Sequence, residues 1–359
     1  MIGALLGLGL VVAVFAGINT GGSAIGESFG PSVGSDVLTV RTAAVLMSVS
    51  VVFGGWFVGR HVIETLGHGF VPSQYFTLPA AIGVLLFTGF GILLGNLREV
   101  SVSTSETAVG AVAGLGAALG VLNWETVGVV VSWWVVSPIV AFWISGVVGR
   151  YFYDRIESTL DLSSDSRSTI GKILVIAIAC YMGFSAGASN VANAVAPLVG
   201  AGVMPSMAML SSMDVAVLLG AGAMAIGSFY IGPRTMTTVG NDLTNLTLEG
   251  ALIVEIIAAT IITGLSWAGI PASLAITAIT CVIGLGWGRA TRHVPVEAAA
   301  GLEGLSEDEE ARVEADSPHL FDPDTTRHVV TTWMLSPTVA FVLAFVVFKV
   351  AAFVGFFQV

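Results

Sequence analysis

Apolar residues run along this chain in long unbroken blocks, separated by short clusters rich in Gly, Ser, Thr and Asn. Ten blocks fall near 2–16, 43–59, 78–95, 107–121, 126–149, 171–184, 207–231, 249–268, 272–287 and 329–355. Several are long enough to cross roughly 30 Å of hydrocarbon as helices, and the shorter ones suit half-spans or hairpin arms. Continuous rather than alternating apolarity argues against a membrane barrel. The pattern predicts an all-α polytopic membrane protein. The first block has no Lys or Arg before it and no clear cleavage site after it, which predicts a retained helix rather than a leader.

The blocks form two sets. Gly17–Val37 and Gly183–Val203 superimpose at a constant offset: Gly17/Gly183, Gly21/Gly187, Ser23/Ser189, Pro31/Pro197 and Val37/Val203 are identical. Further on, Ser103, Thr107, Gly114 and Gly116 match Ser273, Thr277, Gly284 and Gly286. Two apolar halves interrupted at matching places point to a secondary transporter with its site between the repeats. The first interruption, GINTGGSAIGESFGPSVGS or GFSAGASNVANAVAPLVGAG, is expected to be broken backbone lining a buried or wet cavity. In the second, SVSTSETAVGA, Ser103, Thr104 and Ser105 precede a small-residue helix. Such a helix start offers free N–H groups and a partial positive charge to an anion.

Composition narrows the picture. A mean hydropathy of +0.91 with 10% charged residues excludes a water-soluble domain. The net charge of −11 is local, because ten acidic residues and one Arg lie between Glu297 and Asp324. That stretch reads as a solvated connector. The chain divides into a first repeat (1–149), a central loop (150–172) and a second repeat (173–359) carrying the acidic loop near 289–328. Arg150, Arg155, Arg167 and Lys172 predict that the central loop is cytoplasmic. Cys180 and Cys281 sit in apolar segments, and the five His lack metal-ligand spacing. No catalytic or nucleic-acid motif is present, so neither an enzyme nor a nucleic-acid binder is expected.

The interrupting motifs carry a resemblance. GASNVANA at Gly187–Ala194 resembles the GANDVAN-like signature of the inorganic phosphate transporter (PiT) family, and GGSAIGES at Gly21–Ser28 is a degenerate copy. SVSTSETAVGA is similar to that family's PVSTTHSIVGA element, and the likeness extends in order over nearly the whole chain. It implies two inverted-topology repeats with broken or re-entrant helices at their interface. It further implies a dimer in the cell membrane that moves inorganic phosphate with a coupling ion, Na+ or H+, and no other cofactor. Carried onto this chain, the substrate-binding residues would be Ser23, Ser189, Asn190, Asn193, Ser103, Thr104, Ser105 and Ser273.

The departures bear on substrate. The family's N-D pair reads Ser23-Ala24 and Ser189-Asn190, so both aspartates are gone. The His of the hydroxyl element is Glu106, and after Ser273 come Leu274, Ala275 and Ile276. Intramembrane carboxylates are costly and functional by default, which makes Glu27, Glu106 and Glu255 the expected coupling groups, with Na+ near Glu27 and Asn190, and Asp214 a further candidate. Hydrogen phosphate favours a site with an acceptor, whereas sulfate wants donors only. Phosphate is the expected cargo, sulfate or another oxyanion the alternative, and a non-transporting anion sensor the alternative of another class.

Overall fold

The computed structural model describes residues 2–97, 102–160, 169–207, 209–236, 247–295 and 323–355. Almost all of them are helical, and eight helices are long and apolar enough to cross a membrane. The first half comprises α1 (Ile2–Gly34), α2 (Val40–Gly54), α3 (Arg60–Glu64), α4 (Leu78–Leu97), α5 (Thr104–Leu119) and α6 (Trp124–Tyr151). After the short α7 (Tyr153–Leu160), the second half comprises α8 (Thr169–Gly200), α9 (Ser212–Tyr230), α10 (Leu248–Trp267), α11 (Leu274–Ala290) and α12 (Pro323–Phe353). The central segment 150–172 thus holds the end of α6, α7 and the start of α8. Most of the acidic loop lies outside the described residues.

Polar side chains set the helix starts. Thr39, Ser103, Asn123, Ser211, Thr247 and Ser273 each accept a backbone N–H of the turn they precede. Ser211 and Asp214 form a full capping box on α9. α2 runs into α3 and beyond through two π-helical turns, Gly55–Gly59 and Thr65–Gly69, so 40–69 is one continuous rod.

One expectation is overturned here. The Gly-rich motifs are not broken backbone: α1 and α8 stay helical through them, with Pro31 and Pro197 inside. The reason is packing. Small residues let helix backbones approach closely, and that contact outweighs the weak intrinsic helix propensity of Gly, Ser and Asn. A Cβ at Gly21 would sit on the Met224 backbone of α9, and one at Gly187 on the Val51 backbone of α2. The counterparts answer them: a Cβ at Gly227 would strike the Ile18 carbonyl, and one at Gly54 the Phe184 carbonyl.

Those contacts also show how the halves interlock. α1 packs on α9 and α2 on α8, each across the repeat boundary. The same exchange recurs further along: Gly114 of α5 abuts the Phe341 carbonyl of α12, and Gly284 of α11 abuts the Phe142 carbonyl of α6. α1 and α8 themselves run antiparallel, with Gly9 against Leu198, Gly17 against Ala194, and Phe29 against Gly183. Equivalent helices therefore enter from opposite ends of the bundle.

The true interruptions lie in the hydroxyl elements. α4 starts beside Gly9, near the end where α8 finishes, but reaches only the middle third of α1, where Asn96 bonds Asn19. α5 then turns back to the end it came from, where Asn123 N bonds the Phe70 carbonyl. α10 and α11 repeat the figure from the other end. Leu248 and Leu252 of α10 pack by Val175 near the start of α8, and Arg289 near the end of α11 stacks on Tyr153. So α4–α5 and α10–α11 are re-entrant hairpins, although α4 and α10 have the length and apolarity of full spans.

Candidate functional site

Where α1 and α8 cross, Gly17–Ala194 and Phe29–Gly183 bracket the level of Ser23 and Ser189. The tip of the first hairpin lands on the α8 side of this crossing. Thr104 Oγ1 donates to Asn190 Oδ1 at 3.2 Å, and Ser105 Oγ lies 2.9 Å from the same oxygen and 3.1 Å from Ser189 Oγ. Asn193 Nδ2 approaches Asn190 Oδ1 at 3.5 Å. All five side chains are buried. The tip of the second hairpin arrives at the same serine, because Ser189 Oγ lies 2.9 Å from the Ala272 carbonyl. Two half-helix N-termini thus converge near the bundle centre, each carrying roughly half a positive charge.

Hydrogen-bond inventory shows what remains open for a ligand. Hydroxyl donors occupy Asn190 Oδ1, so its NH2 group points away from them and keeps two donors. Ser103 Oγ accepts the Glu106 N–H, leaving the N–H groups of Thr104 and Ser105 without a backbone acceptor among the described residues. Ser273 caps α11 in the same way through the Ile276 N–H, and Thr107 and Thr277 bond back to the carbonyls of Ser103 and Ser273 at 2.7 and 2.8 Å. The second tip then presents Leu274 and Ala275 where the first presents Thr104 and Ser105. Asn193 Oδ1 is buried without a partner among the described residues.

The structure joins Ser103, Thr104, Ser105, Ser189, Asn190 and Asn193 into one cluster and sets Ser273 at the tip beside it. Ser23 and Glu27 lie one turn apart on one face of α1, and no hydrogen bond ties either to the cluster among the described residues. Glu27 is the only residue from Asn19 to Ser32 that is not buried; it is partly exposed. Glu106 is buried in the first turn of α5, where the helix dipole favours an acid. Glu255 is buried on α10, a turn before the Ala259 carbonyl that accepts Ser185 Oγ, and its Oε1 has no partner among the described residues. It stands apart from the tips. Asp214 is accounted for structurally: it caps α9 and pairs with Arg60 at 2.6 Å.

Motif reading missed the groups that anchor the first hairpin. Asn96 Nδ2 donates to the Asn19 carbonyl at 2.9 Å, and the hydroxyls of Thr107 and of Ser336 on α12 meet at 3.1 Å. It also missed Trp134, whose indole donates to the Pro271 carbonyl at 2.9 Å. An amide inside an apolar span, such as Asn19 or Asn96, is the available signal, since it must find a partner there.

A polar pocket of half-helix ends, enclosed between two interlocked repeats, defines a multi-pass membrane transporter. The chain matches the phosphate transporter family over residues 20–344 and belongs to that family. It is 26% identical to the "Sulfate permease CysP" of Bacillus subtilis over 91% of this chain and 83% of that one. It is 23% identical to "Putative phosphate permease PH0640" of Pyrococcus horikoshii over 98% and 97% of the two chains. A solved structure titled "The sodium-dependent phosphate transporter" shares the fold, with a TM-score of 0.69 at 22% identity, covering 98% of this chain and 100% of that one.

Proposed function

We propose that this protein is a secondary active carrier of inorganic phosphate, driven by a co-transported cation. One observation carries the reading: Thr104 and Ser105, at the N-terminus of a half-helix, meet Asn190 at the crossing of the two equivalent helices. A tetrahedral oxyanion seated there would take the Thr104 and Ser105 N–H groups and the Asn190 NH2 group. Moving one negative charge inward against an inside-negative potential costs about 2.3 kcal/mol per 100 mV, so uptake needs a positive companion. Glu27, on α1, is the group we assign to it, as a proton carrier or as a carboxylate ligand for Na+. Asn190 Oδ1, expected beside that ion, is already taken by hydroxyl donors. Glu106, in the first turn of α5, and Glu255, on α10, are further carboxylates for the same task. The protein works as a homodimer in the cell membrane, with its central loop in the cytoplasm.

The second reading is sulfate. The cluster is rich in donors, both motif aspartates are missing, and one relative is named a sulfate permease. The test is radiolabelled uptake into proteoliposomes, with phosphate and sulfate side by side and Na+ and pH gradients imposed separately. Phosphate uptake that follows one gradient and is lost in Glu27→Gln supports the first reading. Uptake of sulfate that phosphate does not compete transfers the site to the second. Binding of either anion without transport would make the chain a sensor.

A further inference from the structure

Ser189 stands in the motif as a substrate ligand, but its hydroxyl is already committed. A serine hydroxyl has one proton. The nearest acceptor is the Ala272 carbonyl at 2.9 Å, and Ser105 Oγ is at 3.1 Å with a proton of its own to share between Ser189 Oγ and Asn190 Oδ1. Ser189 is wholly buried. With its proton on Ala272, it has none left for an anion. Among the described residues it is also the only side chain hydrogen-bonded to both hairpin tips, and those hairpins enter from opposite ends of the bundle.

The two tips differ in how they are held. Side-chain bonds fix the first to α8 at Asn190 and Ser189, to α1 through Asn96, and to α12 through Thr107. At the second tip, Leu274 and Ala275 have no side-chain donors or acceptors. Its connection 268–273 is held through two backbone carbonyls, Ala272 by Ser189 and Pro271 by the Trp134 indole. We propose that Ser189 is a positioning residue, whose hydroxyl fastens the second hairpin against the anion-binding tip of the first rather than binding the anion. Releasing that bond leaves the connection 268–273 tied by Trp134 alone and lets its tip shift toward the end of the bundle that carries the α6–α8 loop. The first tip keeps its other ties. Transport then requires the Ser189–Ala272 bond to break and re-form in each cycle.

This rests on the carrier reading, so the experiment has two independent arms. The full-length protein, with Cys180 and Cys281 replaced by Ala and Ala275 replaced by Cys, is labelled by an impermeant maleimide from the α6–α8 loop side. Ser189→Ala is expected to speed labelling at least about fivefold, and to lower turnover about tenfold while KM for phosphate or sulfate stays within about threefold. Trp134→Phe removes the other carbonyl tie without touching the Asn190 cluster's hydrogen bonds, and is expected to move labelling and turnover in the same direction. A KM raised tenfold or more in Ser189→Ala with labelling unchanged would make Ser189 a ligand and overturn the proposal. So would labelling and turnover that neither variant alters. A wild-type protein that neither binds nor moves phosphate or sulfate defeats the carrier reading alone, because the labelling arm still judges Ser189.

Discussion

The two hairpins share a backbone and differ in chemistry. Each enters from its own end, stops near the middle of the bundle, and restarts from a capping serine with a threonine bonded back to it, Ser103 with Thr107 and Ser273 with Thr277. The first continues as Thr104-Ser105-Glu106, the second as Leu274-Ala275-Ile276. The helices they address differ likewise, since α8 offers Ser189, Asn190 and Asn193 where α1 offers Ser23, Ala24 and Glu27. Duplication preserved the scaffold, and the polar site persists on one side of the pseudo-symmetry only. The other side has exchanged an amide for a carboxylate. The proposed function divides labour along the same line, with the anion assigned to the first tip and α8 and the coupling charge to α1.

That division can be broken most sharply at Asn190. Asn190→Leu keeps the volume but removes the amide donors and strands the Thr104 and Ser105 hydroxyls, and uptake is expected to fall by about 100-fold or more. Uptake close to wild type would move the anion elsewhere. Next in size, Thr104→Val with Ser105→Ala is expected to raise KM about tenfold, by loosening the amide they orient. The mirror change, Leu274→Thr with Ala275→Ser, is expected to alter KM less than about threefold; equal effects on both tips would dissolve the asymmetry.

Smaller effects sharpen the contrast between anchored and lightly held hairpins. Asn96→Leu cuts the tie to α1 and is expected to cost about 1–2 kcal/mol, read as a lower unfolding midpoint in detergent. Its second-half counterpart, Ser266, has a buried hydroxyl without a partner among the described residues, so Ser266→Ala is expected to be neutral or slightly stabilising. Smallest of all, Ser103→Ala and Ser273→Ala should each cost about 1 kcal/mol as lost caps, and only Ser103→Ala should disturb transport.

Much of this was legible in the residues, for stated reasons. Offset identities such as Gly114/Gly284 marked the duplication, and the structure shows why they persisted: each glycine admits a carbonyl of the other half. Ser103, with Thr104 and Ser105, was readable as a helix start because such residues before a small-residue run have that role locally; the cap at Ser273 comes from the structure. Three features were not legible. Gly, Ser and Asn in α1 and α8 read as breaks, because the contact that makes them helical comes from α9 and α2, distant in sequence. The half-depth of α4 and α10 has no local signature, since their apolarity equals that of full spans. The Ser189–Ala272 bond is the third, because nothing in the sequence reveals that Ala272 arrives beside Ser189.

The interlocking of the halves has a consequence for how the protein is made. Thr107 bonds to Ser336, 229 positions later, and Gly110 and Gly114 wait for Pro337 and Phe341. A ribosome adds roughly 5–20 residues per second, so the first hairpin spends ten seconds or more in the bilayer before its clamp is synthesised. α8 arrives partway through that interval, with Asn190 86 positions after Thr104, and α12 only at its end. The first hairpin is therefore complete as sequence long before it is complete as structure, and its tie to α12 forms only once the second half has been made.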